Sequence, residues 1–206
     1  MKESDIHSEL ASIRSLMERS TKFISLSGLS GVLAGIYALI GAYAGYCMVN
    51  QKYTGLTIND SYESNPLIYQ QLILIAAIVL ILSVTTGILL TIRQAKKKGE
   101  KYWNPVSRRL VANMVIPLLT GGIFIIILLL RTNYDIIASA CLIFYGLSLV
   151  SGSQYTFTDV KWLGFCEITL GLLALLFPEC GFWFWITGFG ILHIIYGSIM
   201  HFKYNR

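Results

Sequence analysis

Six apolar runs of about 20 residues constrain this chain more than any other feature of its sequence. A helix rises 1.5 Å per residue, so such a run crosses a hydrocarbon core roughly 30 Å thick. Inside lipid the backbone groups must bond to one another, which favours helices, and the alternating pattern of a membrane barrel is absent. The predicted spans are about 23–49, 67–92, 110–130, 136–151, 160–177 and 182–202.

The composition supports the same fold class. Hydrophobic residues make up 55% of the 206 residues and charged residues 13%, whereas soluble domains carry about 25% charged residues. We therefore expect an all-α integral membrane protein, a bundle of six transmembrane helices that forms one domain over 23–202.

The distribution of Lys and Arg predicts the orientation, because basic loops stay in the cytoplasm. With the N-terminus inside, only Lys52 and Arg131 of the 16 cations fall outside. We therefore expect a bacterial inner-membrane protein with both termini cytoplasmic.

Two cytoplasmic segments carry distinct patterns. In residues 1–22 the apolar residues Ile6, Leu10, Ile13 and Met17 fall on one face, which predicts an amphipathic helix that lies on the membrane or docks on a partner. Residues 93–109 hold seven cations and one acid. This basic loop is expected to anchor the topology and to attract anionic lipid, and it is too short for a nucleic-acid interface.

The four cysteines form neither a metal motif nor a redox motif. Cys47 and Cys180 fall near the outer ends of their helices, so the geometry allows a disulfide between them. Cys141 and Cys166 sit in apolar sequence, which is typical of packing residues. We expect no metal and no cofactor.

The first helix is rich in glycine: Gly28, Gly31, Gly35, Gly41 and Gly45. Small residues spaced in this way let another helix approach closely. The helix is therefore central either to the bundle or to a homo-oligomer, and the sequence does not separate the two.

The first and fifth helices also resemble each other. The segment "SGLSGVLAGIYALI" aligns with "LGFCEITLGLLALL", with Gly28 over Gly164 and Gly35 over Gly171. Tyr145-Gly146 and Tyr196-Gly197 link the fourth helix to the sixth. The pattern indicates three helical hairpins in the same orientation, a parallel repeat.

The final hairpin, "LGFCEITLGLLALLFPECGFWFWITGFGILHIIYGSIMHF", is similar to the hairpin repeat of the HdeD-like acid-resistance membrane proteins. The resemblance covers about 40 residues clearly and the first hairpin faintly. The chain as a whole also resembles uncharacterised bacterial six-helix membrane proteins. It implies six helices built from hairpins and a stress-linked membrane role without a catalytic site. The basic loop and the N-terminal helix depart from that family's pattern.

Two ionisable residues stand out within the apolar runs. Glu167 and His193 lie at similar depth, roughly 11 and 13 Å from the cytoplasmic edge at 1.5 Å per residue. The short turn "PECG" places their helices side by side. The two side chains would form an ion pair or share a proton, because an isolated charge in lipid costs several kcal/mol.

Other polar residues are expected in the same layer: Tyr145, Asn113, Ser30 and Thr86. The layer either lines a cavity open to the cytoplasm or only fixes the register of the helices, and the two interpretations have about equal weight.

Three classes of function follow. A non-enzymatic protein that binds a partner or lipid, or has a structural role in stress, ranks first. A small proton- or solute-linked transporter or channel that uses the Glu167–His193 pair ranks second. An intramembrane enzyme ranks a distant third, because one Glu and one His are too few for a catalytic metal.

Overall fold

The computed structural model describes residues 22–23, 27–52, 66–99 and 101–204. The amphipathic helix predicted at 1–22 lies outside these residues, apart from Lys22. Within them every regular element is helical, which confirms the all-α prediction for this part of the chain.

Five helices precede a composite C-terminal helix. They are α1 (Gly28–Lys52), α2 (Pro66–Lys97), α3 (Pro105–Leu130), α4 (Ile137–Gly152) and α5 (Asp159–Leu176). The C-terminal helix consists of α6 (Gly181–Trp185), a π-helical segment (Ile186–Leu192) and α7 (His193–Tyr204). Short 3-10 turns, Ser153–Tyr155 and Pro178–Cys180, flank α5.

Among the described residues, five helical stretches are long and apolar enough to cross a membrane. They are Gly28–Met48, Gln70–Lys97, Pro105–Leu130, Ile137–Tyr155 and Pro178–Tyr204. The predicted fifth span, 160–177, forms helix α5 but does not reach this standard. This 18-residue helix carries Asp159, Lys161 and Glu167, and these charges lower its apolar character.

The basic loop predicted at 93–109 is shorter than the sequence suggested. Helix α2 continues to Lys97, where Lys96 and Lys97 lie in its last turn and suit the negative end of the helix dipole. At the other side, Asn104 and Ser107 form a reciprocal capping box and Pro105 opens α3, a favourable first residue for a helix. Only residues 98–104 therefore connect the two helices.

The helices pack as a chain of antiparallel neighbours. Helix α3 contacts α4, α4 contacts α5, and α5 contacts the C-terminal helix, which in turn contacts α1. Helix α2 packs mainly on α1 and buries none of its most apolar window. We call the end where α2, α4 and α7 finish and α1, α3 and α5 begin the basic end of the bundle.

Glycines set the spacing between α1 and the C-terminal helix. A Cβ atom on Gly197 would collide with the backbone N of Val32 and lie 2.7 Å from the carbonyl oxygen of Gly28. One on Gly35 would lie 2.7 Å from the carbonyl oxygen of Gly190. Further along, Gly41 and Gly45 face side chains of α2. The glycine face of α1 is thus occupied within one chain, and homo-oligomer formation through it stays a prediction.

The same contacts recur between α4 and α5. A Cβ atom on Gly164 of α5 would lie 2.8 Å from the carbonyl oxygen of Gly146 on α4. In the same way, a Cβ atom on Gly28 of α1 would lie 2.6 Å from the carbonyl oxygen of Gly197 on α7. A Cβ atom on Gly171 would lie 3.0 Å from the backbone nitrogen of Ile143. A Cβ atom on Gly35 would lie at the same distance, 3.0 Å, from the backbone nitrogen of Ile194. These pairs match the glycine alignment of the sequence position by position.

Polar contacts close the basic end. Lys203 forms an ion pair with Asp159 at 2.9 Å, and the Tyr204 hydroxyl donates to the same carboxylate at 2.8 Å. Phe23 is held by two bonds to the connection before α5: its N–H donates to the carbonyl oxygen of Tyr155, and its own carbonyl accepts from Thr156. The contacts of Asp159 tie α5 to α7, and those of Phe23 hold this residue against the connection that precedes α5.

The contribution of Asp159 to stability is expected to depend on pH. Partial burial alone would raise the pKa of Asp159, but hydrogen bonds from Lys203 and Tyr204 and the charge of Lys203 outweigh it and lower the pKa below 3.8. The stabilisation is therefore complete above that value and is lost as the pH falls through the folded-state pKa.

Replacing Asp159 with Asn should accordingly lower the unfolding temperature at neutral pH by an amount equivalent to less than about 1 kcal/mol, because the pair is partly exposed. Near pH 3 the difference from the unmodified protein should shrink. Asp135→Asn, at an exposed aspartate of the opposite end, is the control. An equal effect of both variants would contradict the assignment.

Candidate intramembrane polar site

Glu167 lies on the face of α5 that packs against the rest of the bundle. Gly164 and Gly171, one turn on either side of it, let α4 approach, so the side chain between them points inward. Glu167 is 0% exposed, and neither carboxyl oxygen has a hydrogen-bond partner among the described residues. A buried carboxyl without a hydrogen bond is costly and rare, which makes it the most unusual group in the bundle.

His193 begins α7, directly after the π-helical segment. Its Nδ1 lies 2.9 Å from the carbonyl oxygen of Gly188, and a carbonyl can only accept, so Nδ1 carries a proton. Its Nε2 lies 2.8 Å from the Tyr145 hydroxyl on α4. In the neutral imidazole the tyrosine donates this bond, whereas in the imidazolium Nε2 donates it.

The structure brings Glu167 and His193 together. The carboxyl oxygen Oε1 lies 3.4 Å from Nδ1 of His193, within ion-pair range and at the long limit of a hydrogen bond. We call Tyr145, His193 and Glu167 the polar triad. It joins α4, α5 and the C-terminal helix at one point in the interior of the bundle.

Gly188 makes room for the carboxyl group. A Cβ atom at this position would lie 2.5 Å from Oε2 of Glu167 and 2.5 Å from a methyl group of Leu142. The same residue supplies the carbonyl that holds Nδ1 of His193. Gly188 therefore positions both members of the pair, one by its backbone and the other by its missing side chain.

Aromatic rings enclose the imidazole. Phe189 stacks on His193 with ring centroids 5.8 Å apart, and Tyr145 lies 5.1 Å from Phe189 and 5.3 Å from His193. The ring of Trp185 lies 5.2 Å from that of Phe189. These rings exclude water from one side of the triad and strengthen electrostatic interactions within it.

Charge neutrality limits the protonation states of the triad. Either Glu167 is a neutral acid beside a neutral imidazole, or the proton has moved to His193 and the two form an ion pair. Removing that proton leaves an isolated negative charge in a low-dielectric interior, at a cost of several kcal/mol. The triad can thus hold one acidic proton in two positions.

Three residues predicted for this layer lie elsewhere. The Ser30 hydroxyl donates to the carbonyl oxygen of Ser27, and the Asn113 amide donates to that of Arg109, both within their own helices. Thr86 pairs with Tyr37 at 3.4 Å between α2 and α1. None of these hydrogen bonds involves a member of the triad, so the structure does not show the three side chains as part of it.

The hydropathy pattern of the sequence does not predict the π-helical segment. Such segments often occur at functional sites, and this one contains Gly188 and Gly190 and ends at His193. The glycines of "TGFG" are the only signal, and glycines are common in membrane helices.

The described residues contain no group of three His, Cys, Asp or Glu side chains that could hold a metal ion. The cysteines are free, with Cys47 and Cys141 half-buried and Cys166 and Cys180 exposed, so Cys47 and Cys180 are not joined. Comparison of the chain with protein-family models, with curated proteins and with solved structures found no match.

Proposed function

We propose that the chain is an inner-membrane protein with six spans and both termini in the cytoplasm. The alternating direction of the six helices supports this, because α5 must cross for α4 and α7 to end together. The basic end of the bundle carries Arg93, Lys97 and Lys203, as the cytoplasmic side of a membrane protein should. The recurring glycine contacts support the arrangement as three hairpins in parallel repeat.

We propose further that the protein is not an enzyme and that the polar triad is its proton-binding structural element. The observation that carries this proposal is the burial of Glu167 with no hydrogen bond to either oxygen, 3.4 Å from His193. One proton stabilises the packing of α5 on the C-terminal helix, and its loss favours separation of the two. A membrane protein whose packing depends on one proton suits the stress-linked role that the HdeD-like resemblance implies.

The test is infrared difference spectroscopy of the full chain in lipid nanodiscs during a pH titration. A buried, protonated Glu167 should give a carboxyl band that Glu167→Gln removes. Glu179→Gln, which changes an exposed glutamate, should keep the band. If no infrared change during the titration depends on Glu167, or if the band survives in Glu167→Gln, the proton-binding role is wrong.

A proton-linked transporter is the second candidate, and the π-helical segment favours it. A π-helix departs from regular helical bonding, so the C-terminal helix can change its local geometry beside the proton site. In vesicles, a transporter of this kind would show a pH-driven flux that Glu167→Gln abolishes. Normal triad titration without flux would favour the structural role.

A further inference from the structure

A cavity of about 260 Å³ opens at the basic end of the bundle, between α1, α2 and α7. It is lined by Ser27, Leu29, Leu90, Arg93, Gln94, Lys97 and His201. A single water needs about 10–15 Å³ of such volume, so a group the size of a phosphate fits inside with its hydration.

The charge of this cavity is positive. Arg93 and Lys97 stand one turn apart on α2, so both project toward the same side. The two salt bridges of the described residues involve Glu167 and Asp159, which pair with His193 and Lys203. No described carboxylate therefore neutralises Arg93 or Lys97, and an anion would restore the balance.

The cavity is also apolar at one side. Leu29 and Leu90 line it together with the cations. A second cavity of about 260 Å³ lies deeper along the same pair of helices, lined by Tyr37 and seven apolar residues of α1 and α2. Tyr37 is eight residues beyond Leu29, about 12 Å along the helix, a distance that one acyl chain covers. A lipid matches this combination better than a free anion does.

We propose that the cationic cavity binds the phosphate group of an anionic phospholipid, held by Arg93 and Lys97, with an acyl chain along the seam between α1 and α2. The inference rests on the proposed membrane insertion but not on the polar triad. The proposal assigns the attraction of the basic segment for anionic lipid to one site. There the planar guanidinium of Arg93 would donate two hydrogen bonds to the phosphate oxygens, and the ammonium of Lys97 would contribute a compact positive charge.

The experiment measures thermal protection of the full chain in detergent by added phosphatidylglycerol. Two separate titrations use phosphatidylcholine and inorganic phosphate. The double variant Arg93→Gln with Lys97→Gln should weaken the apparent affinity for phosphatidylglycerol roughly ten- to thirtyfold. The matched control, Lys96→Gln with Arg108→Gln, removes the same charge from exposed positions outside the cavity and should change the affinity less than about twofold.

Selective loss in the cavity variant supports the site. Equal loss in both double variants means diffuse attraction and overturns it, as does equal protection by phosphatidylcholine. Protection by inorganic phosphate of the same strength overturns the assignment to a lipid. Glu167→Gln should leave the lipid titration unchanged and the cavity variant should keep the carboxyl band, so failure of this inference and failure of the triad are distinguishable.

Discussion

Replacing Gly197 with alanine is expected to lower the free energy of unfolding by about 3 kcal/mol. The new Cβ atom would meet the backbone N of Val32 and the carbonyl oxygen of Gly28, and backbone atoms cannot turn aside as the end of a side chain can. The two helices must therefore separate along their whole contact. Reversible unfolding of the full chain in mixed micelles would measure the loss.

Gly87→Ala is the matched control. A Cβ atom on Gly87 meets nothing within 4 Å, so this change should stabilise helix α2 by roughly 0.5–1 kcal/mol through the lower backbone entropy of alanine. If Gly197→Ala proved as harmless as Gly87→Ala, the close contact between α1 and the C-terminal helix would not exist in the membrane.

Replacing His193 with leucine should destabilise the bundle by a similar amount, about 3 kcal/mol. The change removes the partner of the Tyr145 hydroxyl and the ion-pair partner of Glu167. The orphaned groups stay buried and cannot recover their hydrogen bonds from water. The measurement is again the free energy of unfolding in mixed micelles.

The double variant Glu167→Met with His193→Leu separates this explanation from a simple packing defect. Apolar residues of similar volume often replace a buried pair without loss, so the double variant should regain most of the stability that the single variant loses. It should also lose the pH-dependent carboxyl band. Additive losses would mean that Glu167 and His193 do not interact.

The pairing of Glu167 with His193 could be predicted because it depends on depth and on a short turn. Counting residues from the membrane edge gives the depth, and the short turn "PECG" requires the two helices that it joins to be neighbours. The direction in which a side chain points around the helix axis cannot be counted from the sequence in this way, because the packing of neighbouring helices determines it. For this reason Ser30, Thr86 and Asn113 were predicted beside the pair, whereas each makes its hydrogen bond elsewhere.

Helices α2 and α3 extend beyond the predicted spans for another reason. Hydropathy reports where lipid ends, whereas a helix continues as long as its backbone bonds and caps are favourable. Arg93 and Lys97 therefore remain helical beyond the apolar run. Asn104 and Ser107 are residues that commonly begin a helix. The charged residues around them nevertheless favoured the prediction of a basic loop.

The polar triad occurs in only one of the two glycine interfaces that the proposed repeat relates. Aligning Gly28 with Gly164 places Gly31 opposite Glu167, and aligning Gly197 with Gly146 places Leu142 opposite His193. The two glycine interfaces share their backbone contacts, but only one combines an acid and a base. A repeated framework would thus carry a single site.

The contact between α1 and the C-terminal helix joins the two extremes of the described chain, and this affects biosynthesis. Ribosomes add roughly 5–20 residues per second, so α1 enters the membrane roughly 8 to 30 seconds before its partner. During that interval the glycines that contact the C-terminal helix are available to other membrane helices. Helix α2 covers only Gly41 and Gly45, so the surface around Gly28, Gly31 and Gly35 stays open until the C-terminal helix has been made.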